Sequence, residues 1–211
     1  MFSKIDANLK NYIESNIFPV YSKNDGGHNL RHINIVLERA FELAENYDID
    51  LNMLYTVVCY HDIACHINRE QHEILSAKWF FEDNEIKKFF NDEQRIVMKE
   101  AIEDHRASQD SEPRNIYGKI LSSADRKTDV VDYFKSSLGF ELKKNPSASD
   151  EELINHSYEH AIKKFGRNGY AVNKFYIPDE KYKNYLDEIQ RLIDNKDEFV
   201  KRANEILKEI R

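Results

Sequence analysis

Glycine and proline are scarce in this chain, 6 and 4 of its 211 residues. With so few turn formers, an architecture of many short strands joined by tight hairpins is excluded and long helices are favoured. Cysteine is rarer still. Cys59 and Cys65 fall within one helical pattern, which leaves no disulfide framework. No apolar run approaches the roughly 20 residues a bilayer span needs. The stretch Met1 to Asp6 lacks the apolar core of a secretory signal, so the expectation is a cytoplasmic protein without a membrane partner. Basic excess is missing as well: 31 Lys and Arg stand against 38 Asp and Glu, a net charge of -7. Sequence-independent binding of a nucleic-acid polymer needs the opposite balance. What remains is 41% hydrophobic and 33% charged, a composition for a sizeable core under a solvated surface.

The apolar residues recur at helical period almost throughout. Phe2, Ile5, Leu9, Ile13 and Ile17 predict a first helix that stops before Pro19. Asn24 to Gly27 reads as a loop. Ile33, Val36, Leu37, Ala40, Phe41, Ala44 and Tyr47 draw the next stripe, and Asp50 is placed to cap a helix running through Leu54, Val57 and Val58. Further helices are expected from near Glu70 through Ile74 and Phe81, from Asn91 or Asp92 to His105, and from Tyr117 through Asp125 on to Phe134. Composition turns to Lys, Asn, Pro and Ser at 143–149, the expected boundary between a helical core over 1–142 and a helical extension over 143–211 packed on it. Ser149 and Glu152 form a capping-box pattern. Tyr182 to Ile193 predict one final long helix reaching towards Ile210. The aromatic residues of the tail, Phe165, Tyr170, Phe175, Tyr176, Tyr182 and Tyr185, read as packing. The expected class is all-α.

Polar residues break the apolar pattern at four helix ends. His61 occupies a core position beside Leu54, Val57 and Val58, with Asp62 directly after it. His32 stands immediately before the stripe that starts at Ile33, His105 one turn beyond Ala101 and Ile102, and Asp125 one turn beyond Leu121. A single inward histidine is ordinarily a hydrogen-bonded core residue, and an inward aspartate an N-cap or ion-pair partner. Burying an ionised carboxylate without compensation is costly, however, and helix-bundle cores are places where such residues converge on a cation.

His32, then His61-Asp62, then Asp125 resemble the His…His-Asp…Asp signature of the HD-domain superfamily of metal-dependent phosphohydrolases, over residues 25 to 135. Arg31-His32-Ile33-Asn34-Ile35-Val36 opening a helix and Ser123-Ala124-Asp125-Arg126 ending one reinforce the likeness. The resemblance implies an HD-domain helical bundle in which His32, His61, Asp62 and Asp125 hold a divalent ion, with His28 competing with His32 for the first place. It further implies that His72 and His105 hold a second ion, the two sharing Asp62. The acidic pair that follows His-Asp in the alarmone hydrolases is absent, since Ile63-Ala64-Cys65-His66 stands there, and so is the Gly-Tyr-Pro signature of the cyclic-di-GMP branch.

Imidazole and carboxylate donors suit Mn, Fe, Co, Ni or Mg better than a structural Zn site, with Zn next in line. Such an ion lowers the pKa of bound water and polarises a phosphoryl oxygen. The substrate's charge needs cations, and Arg106 and Arg126 each directly follow a proposed ligand, with Lys127 and Arg69 further off. Asp62, His105, Arg106 and Arg126 are accordingly the expected catalytic residues. Cys65 reads as a buried thiol, and His66 as a helix end or a phosphate contact. His156 and His160 read as surface residues. The expectation is hydrolysis of a small phosphate ester, a nucleotide first, by a protein free to form a homo-oligomer. The alternatives are a metal-bearing module that senses a nucleotide without turning it over, and an HD-fold di-iron oxygenase.

Overall fold

The computed structural model describes residues 4–24 and 27–211. The predicted helix start at Phe2, and Asp25 and Gly26 of the first loop, lie outside the described residues. Among those residues the chain is helical without a strand.

Asp6 opens α1 (Ala7–Tyr12) by accepting from the Asn8 and Leu9 amides. The helix runs directly into a π-helical turn, Ile13–Ile17, and a 3-10 segment, Phe18–Lys23. The first helix thus ends at Ile17, before Pro19 as expected, and the chain goes on as a 3-10 segment. Pro19 sits at the start of the 3-10 segment, where its missing N–H leaves no bond unmade. Next come α2 (Leu30–Ala44), capped by the Asn29 side chain, and α3 (Leu51–Tyr60), capped by Asp50 as expected. The predicted face of α2 is buried, and in α3 every residue from Met53 to Tyr60 is buried.

Helix α4 (His72–Glu82) begins two residues later than the periodicity suggests, and Ile74 is exposed rather than packed. After a 3-10 turn, Ile86–Lys88, come α5 (Asp92–Glu103) and α6 (Ile116–Ala124). Asn91 and Gln94 form a capping box at the start of α5, and Asn115 caps α6. The helix expected to run on from Tyr117 to Phe134 breaks after Ala124, and α7 (Val130–Lys144) restarts with Asp129 as its cap. The remaining helices are α8 (Asp150–Phe165), α9 (Glu180–Asp194) and α10 (Lys196–Ile210). Ser149 and Glu152 make the predicted capping box of α8. The single final helix is divided at Asn195, whose side chain caps α10 by accepting from the Glu198 amide.

The packing divides the chain between Asp125 and Arg126, with Tyr176–Pro178 returning to the first unit. This differs from the boundary expected after residue 142, which falls inside α7. The reason is the destination of the α7 side chains: Val130, Tyr133, Phe134 and Leu138 join Leu153, Phe165, Tyr185, Leu192 and Phe199 in a core of their own. The chain changes core in the turn before Asp129, and the polar stretch 143–149 merely connects α7 to α8.

In the first unit α3 is central, packed by α2, α4, α5 and α6. Gly118 permits the close approach of α6 to α5, because a Cβ there would stand 3.3 Å from the Ala101 Cα and 3.1 Å from Pro113 Cβ. No helix among the described residues is long and apolar enough to cross a membrane.

Candidate metal centre

Every helix from α2 to α6 places an end at one locus of the first unit. His32 lies in the first turn of α2 and His72 is the first residue of α4. His61 caps the C-terminus of α3, and Asp125 that of α6. His105 follows Asp104, the cap of α5. Three helix C-termini and two N-termini thus meet, and the partial charges of their unpaired backbone groups sum to a negative balance that favours a cation.

Asp62 is the hub. Its Oδ2 lies 3.4 Å from His32 Nε2 and 3.3 Å from His61 Nε2. Its Oδ1 lies 3.1 Å from His72 Nε2 and 3.6 Å from His105 Nε2. Asp125 Oδ1 completes the first group, 3.0 Å from His32 Nε2 and 3.8 Å from His61 Nε2. The six residues singled out in the sequence as ion ligands are therefore brought together, His61, Asp62 and His105 fully buried and His72 nearly so.

Local backbone geometry aims three of the imidazoles. His61 Nδ1 donates to the Val58 carbonyl at 2.7 Å, His105 Nδ1 to the Ile102 carbonyl at 2.7 Å and His72 Nδ1 to the Arg69 carbonyl at 2.9 Å. A carbonyl only accepts, so each Nδ1 carries a proton and each ring turns its Nε2 inward. His72 Nε2 and His105 Nε2 then face each other across 3.1 Å with Asp62 Oδ1 beside them. Three acceptors crowded in this way repel one another unless a proton or cation stands among them. The buried Nε2 atoms of His32 and His61 tell the same story: close to carboxylate oxygens, they lack the alignment of a hydrogen bond. The donor set, its convergence and the anchored second nitrogens fit a divalent ion.

The electrostatics of the protein residues alone agree. Burial pushes the Asp62 carboxyl up, but the neighbouring His61, His105 and His32 imidazoles hold it well below the usual carboxylate range. Burial likewise raises Asp125, and His32 more than reverses it. Burial lowers His32, and the Asp125 and Asp62 carboxylates drive it up to about 10. His72 is raised too, burial opposing and Asp62 prevailing. The site concentrates negative charge that draws positive charge in.

His28 and His32 differ in position. His32 reaches both Asp62 and Asp125, whereas His28 groups with Asp62 and Cys65. Cys65 is partly exposed, not the buried thiol expected, because the chain leaves the helix after Tyr60 and it sits on a turn. His66 turns towards Asn24, whose side-chain oxygen lies 3.1 Å from its Nδ1. Arg106 donates to the Glu70 carbonyl at 2.6 Å and approaches Glu73 Oε1 at 3.2 Å, and Glu73 Oε2 in turn lies 3.4 Å from His72 Nδ1. Arg126 belongs to the second unit, its guanidinium 4.9 Å over the Tyr182 ring. His156 meets Glu141, and His160 stacks on Tyr133.

Two supports of the site carry no periodic signal and were not found by sequence reasoning. Asn24 ties the His28 and Asp62 carbonyls together. Arg114 donates through its backbone N–H and Nε to Asp104 Oδ2 and through a terminal nitrogen to Oδ1, at 2.8, 2.9 and 2.8 Å, clamping the turn that carries His105. The acidic residue directly before His105 was the available clue.

Fold and site together define an all-α protein with a buried histidine–aspartate cluster of metal-binding type. No protein-family model and no curated protein matches the chain. Among solved structures it is similar to a predicted HD superfamily hydrolase from an uncultured Thermotogales bacterium, with 18% identity, 90% of this chain and 91% of that chain covered, and a TM-score of 0.49.

Proposed function

We propose that the chain is a metal-dependent phosphohydrolase of the HD type, acting on a small phosphate ester, a nucleotide first among them. The observation that carries the reading is Asp62, whose two carboxylate oxygens each stand among two inward imidazole nitrogens, with Asp125 beside one pair. His32, His61, Asp62 and Asp125 would hold one divalent ion, and His72, His105 and Asp62 another. A bound divalent ion supplies a water of lowered pKa and polarises a phosphoryl oxygen.

The chain's own residues do the remaining work. The Val58, Ile102 and Arg69 carbonyls fix ring orientation and select the tautomer in which Nε2 is the nitrogen available for ligation. Asp62, sealed from solvent, presents one oxygen to each group. Arg106, one third exposed and held by Glu73, brings positive charge beside His72 where phosphate oxygens would lie. A guanidinium can bond two such oxygens at once. Arg126, next after Asp125, sets its guanidinium 4.9 Å over the Tyr182 ring.

The test is phosphate release from a panel of nucleotides and p-nitrophenyl phosphate esters, by protein loaded in turn with Mn, Fe, Co, Ni and Mg. Turnover that disappears in Asp62→Ala is expected. Nucleotide binding by calorimetry without phosphate release under any ion would overturn the hydrolase reading in favour of a sensing module. Dioxygen consumption by the iron-loaded protein in place of phosphate release would replace hydrolysis with oxygenation.

A further inference from the structure

Beside the cluster lie two metal-ligating side chains that the proposed centre leaves unused, His28 and Cys65. A ring nitrogen of His28, the Cys65 Sγ and a carboxylate oxygen of Asp62 stand within 4.8 Å of one another. Their meeting is built into the backbone. The Asn24 amide donates to the His28 carbonyl and to the Asp62 carbonyl, each at 2.9 Å, while its oxygen accepts from the His66 N–H at 3.0 Å. The Cys65 N–H closes the turn on the Asp62 carbonyl at 3.1 Å. The His28 ring is thereby held 5.9 Å from that of His32 and 6.5 Å from that of His72, at the edge of the cluster. His28 and Cys65 are both partly exposed, so an ion and a solvent ligand can reach them, whereas Cys59 is buried.

We propose that His28, Cys65 and Asp62 form a further metal position, taking a borderline-soft divalent ion such as zinc or cobalt. A thiolate selects zinc and cobalt over magnesium and manganese. Three protein ligands are the number found in zinc sites that keep a coordination place open, not in closed structural ones. Bonds of roughly 2.0–2.3 Å at tetrahedral angles set donors about 3.3–3.5 Å apart, so side-chain rotation closes the group around an ion. Because this position rests on the same reading of Asp62 as a shared ligand but uses none of the centre's four imidazoles, the two differ in softness. Ions without affinity for sulfur fill the centre alone, and a thiophilic ion fills both.

Cobalt(II) titration of the full-length protein, with metal counted by elemental analysis, tests this. The wild type should develop a near-ultraviolet sulfur-to-cobalt charge-transfer band. Cys65→Ser and His28→Ala should each lose the band and one cobalt per chain, and His61→Ala should keep the band. With manganese, wild type and Cys65→Ser should bind the same amount. Absence of the band at every cobalt ratio, or its survival in Cys65→Ser or in His28→Ala, would overturn the position. Its loss in His61→Ala would also overturn it, making the thiolate a ligand of the main centre. Cobalt bound by the wild type but wholly absent from Cys65→Ser would support this position and overturn the centre proposed above.

Discussion

Asp62 carries more of the site than any other residue, because both its oxygens face imidazole nitrogens and it is buried. Asp62→Ala should therefore abolish metal retention and reduce hydrolysis by about a hundredfold or more, measured by elemental analysis beside phosphate release. His32 sets a pH dependence. In the metal-free protein its pKa stands at about 10, above the value near 6.5 of an unfolded histidine. A raised folded value means stability fully present below about pH 6.5 and lost as pH rises through about 10. Melting temperature of the metal-free protein should fall across that interval, and a His32→Ala variant should show a flatter profile. Since ligation needs the neutral imidazole, metal binding should release protons and strengthen as pH rises over the same range. Proton release read by calorimetry in buffers of different ionisation heat checks the sign.

Element ends, more than element interiors, shape this protein. Asp50 accepts from the Asn52 and Met53 amides at the start of the helix that delivers His61. Asp50→Ala should cost about 1 kcal/mol in denaturant unfolding. The turn after α5 depends on the Arg114 fork to the buried Asp104 carboxylate. Arg114→Ala leaves that carboxylate without its charged partner and should cost about 2 kcal/mol. Its sharper effect is predicted at His105, next in the chain: one of two bound ions should be lost, and the ion at His32 and Asp125 retained. Loss of both ions, or of neither, would refute this division of labour between the α5 turn and the rest of the site.

For the whole molecule, an ion that binds only the folded state stabilises it by mass action, about 2.7 kcal/mol at a hundredfold excess over the dissociation constant. Chelation should lower the melting temperature of the wild type and leave that of Asp62→Ala nearly unchanged. Every ligand of the proposed centre belongs to the first unit, which has its own hydrophobic core. Hydrogen exchange should consequently accelerate on chelation in α2 to α6, and not in α7 to α10. Equal acceleration in both would show that the ion stabilises more than the core that holds it.

The all-α class, the faces of α2 and α3 and the caps Asp50 and Ser149 were legible in the sequence, because apolar period and capping chemistry are local. Five residues of the cluster, His32, His61, Asp62, His105 and Asp125, were legible as polar interruptions at inward positions, and His72 only through the family resemblance. Helix breaks were harder. The apolar period crosses Asn195 in phase, from Leu192 to Phe199 and Ala203, so nothing local marks that break. The turn at 125–129, by contrast, shifts the buried face to Val130, Tyr133 and Phe134 and leaves Val131 exposed, a change that follows from the new core. Tertiary structure alone decided where the chain changes core, because that depends on which partners α7 finds. It also set the surroundings of the cluster: the Asn24 strap, the Arg114 fork, Glu73 on Arg106, and Cys65 turned out of the helix towards His28. These contacts join positions with no shared period, so no one-dimensional pattern encodes them, and they exist only once the helix ends have been packed together.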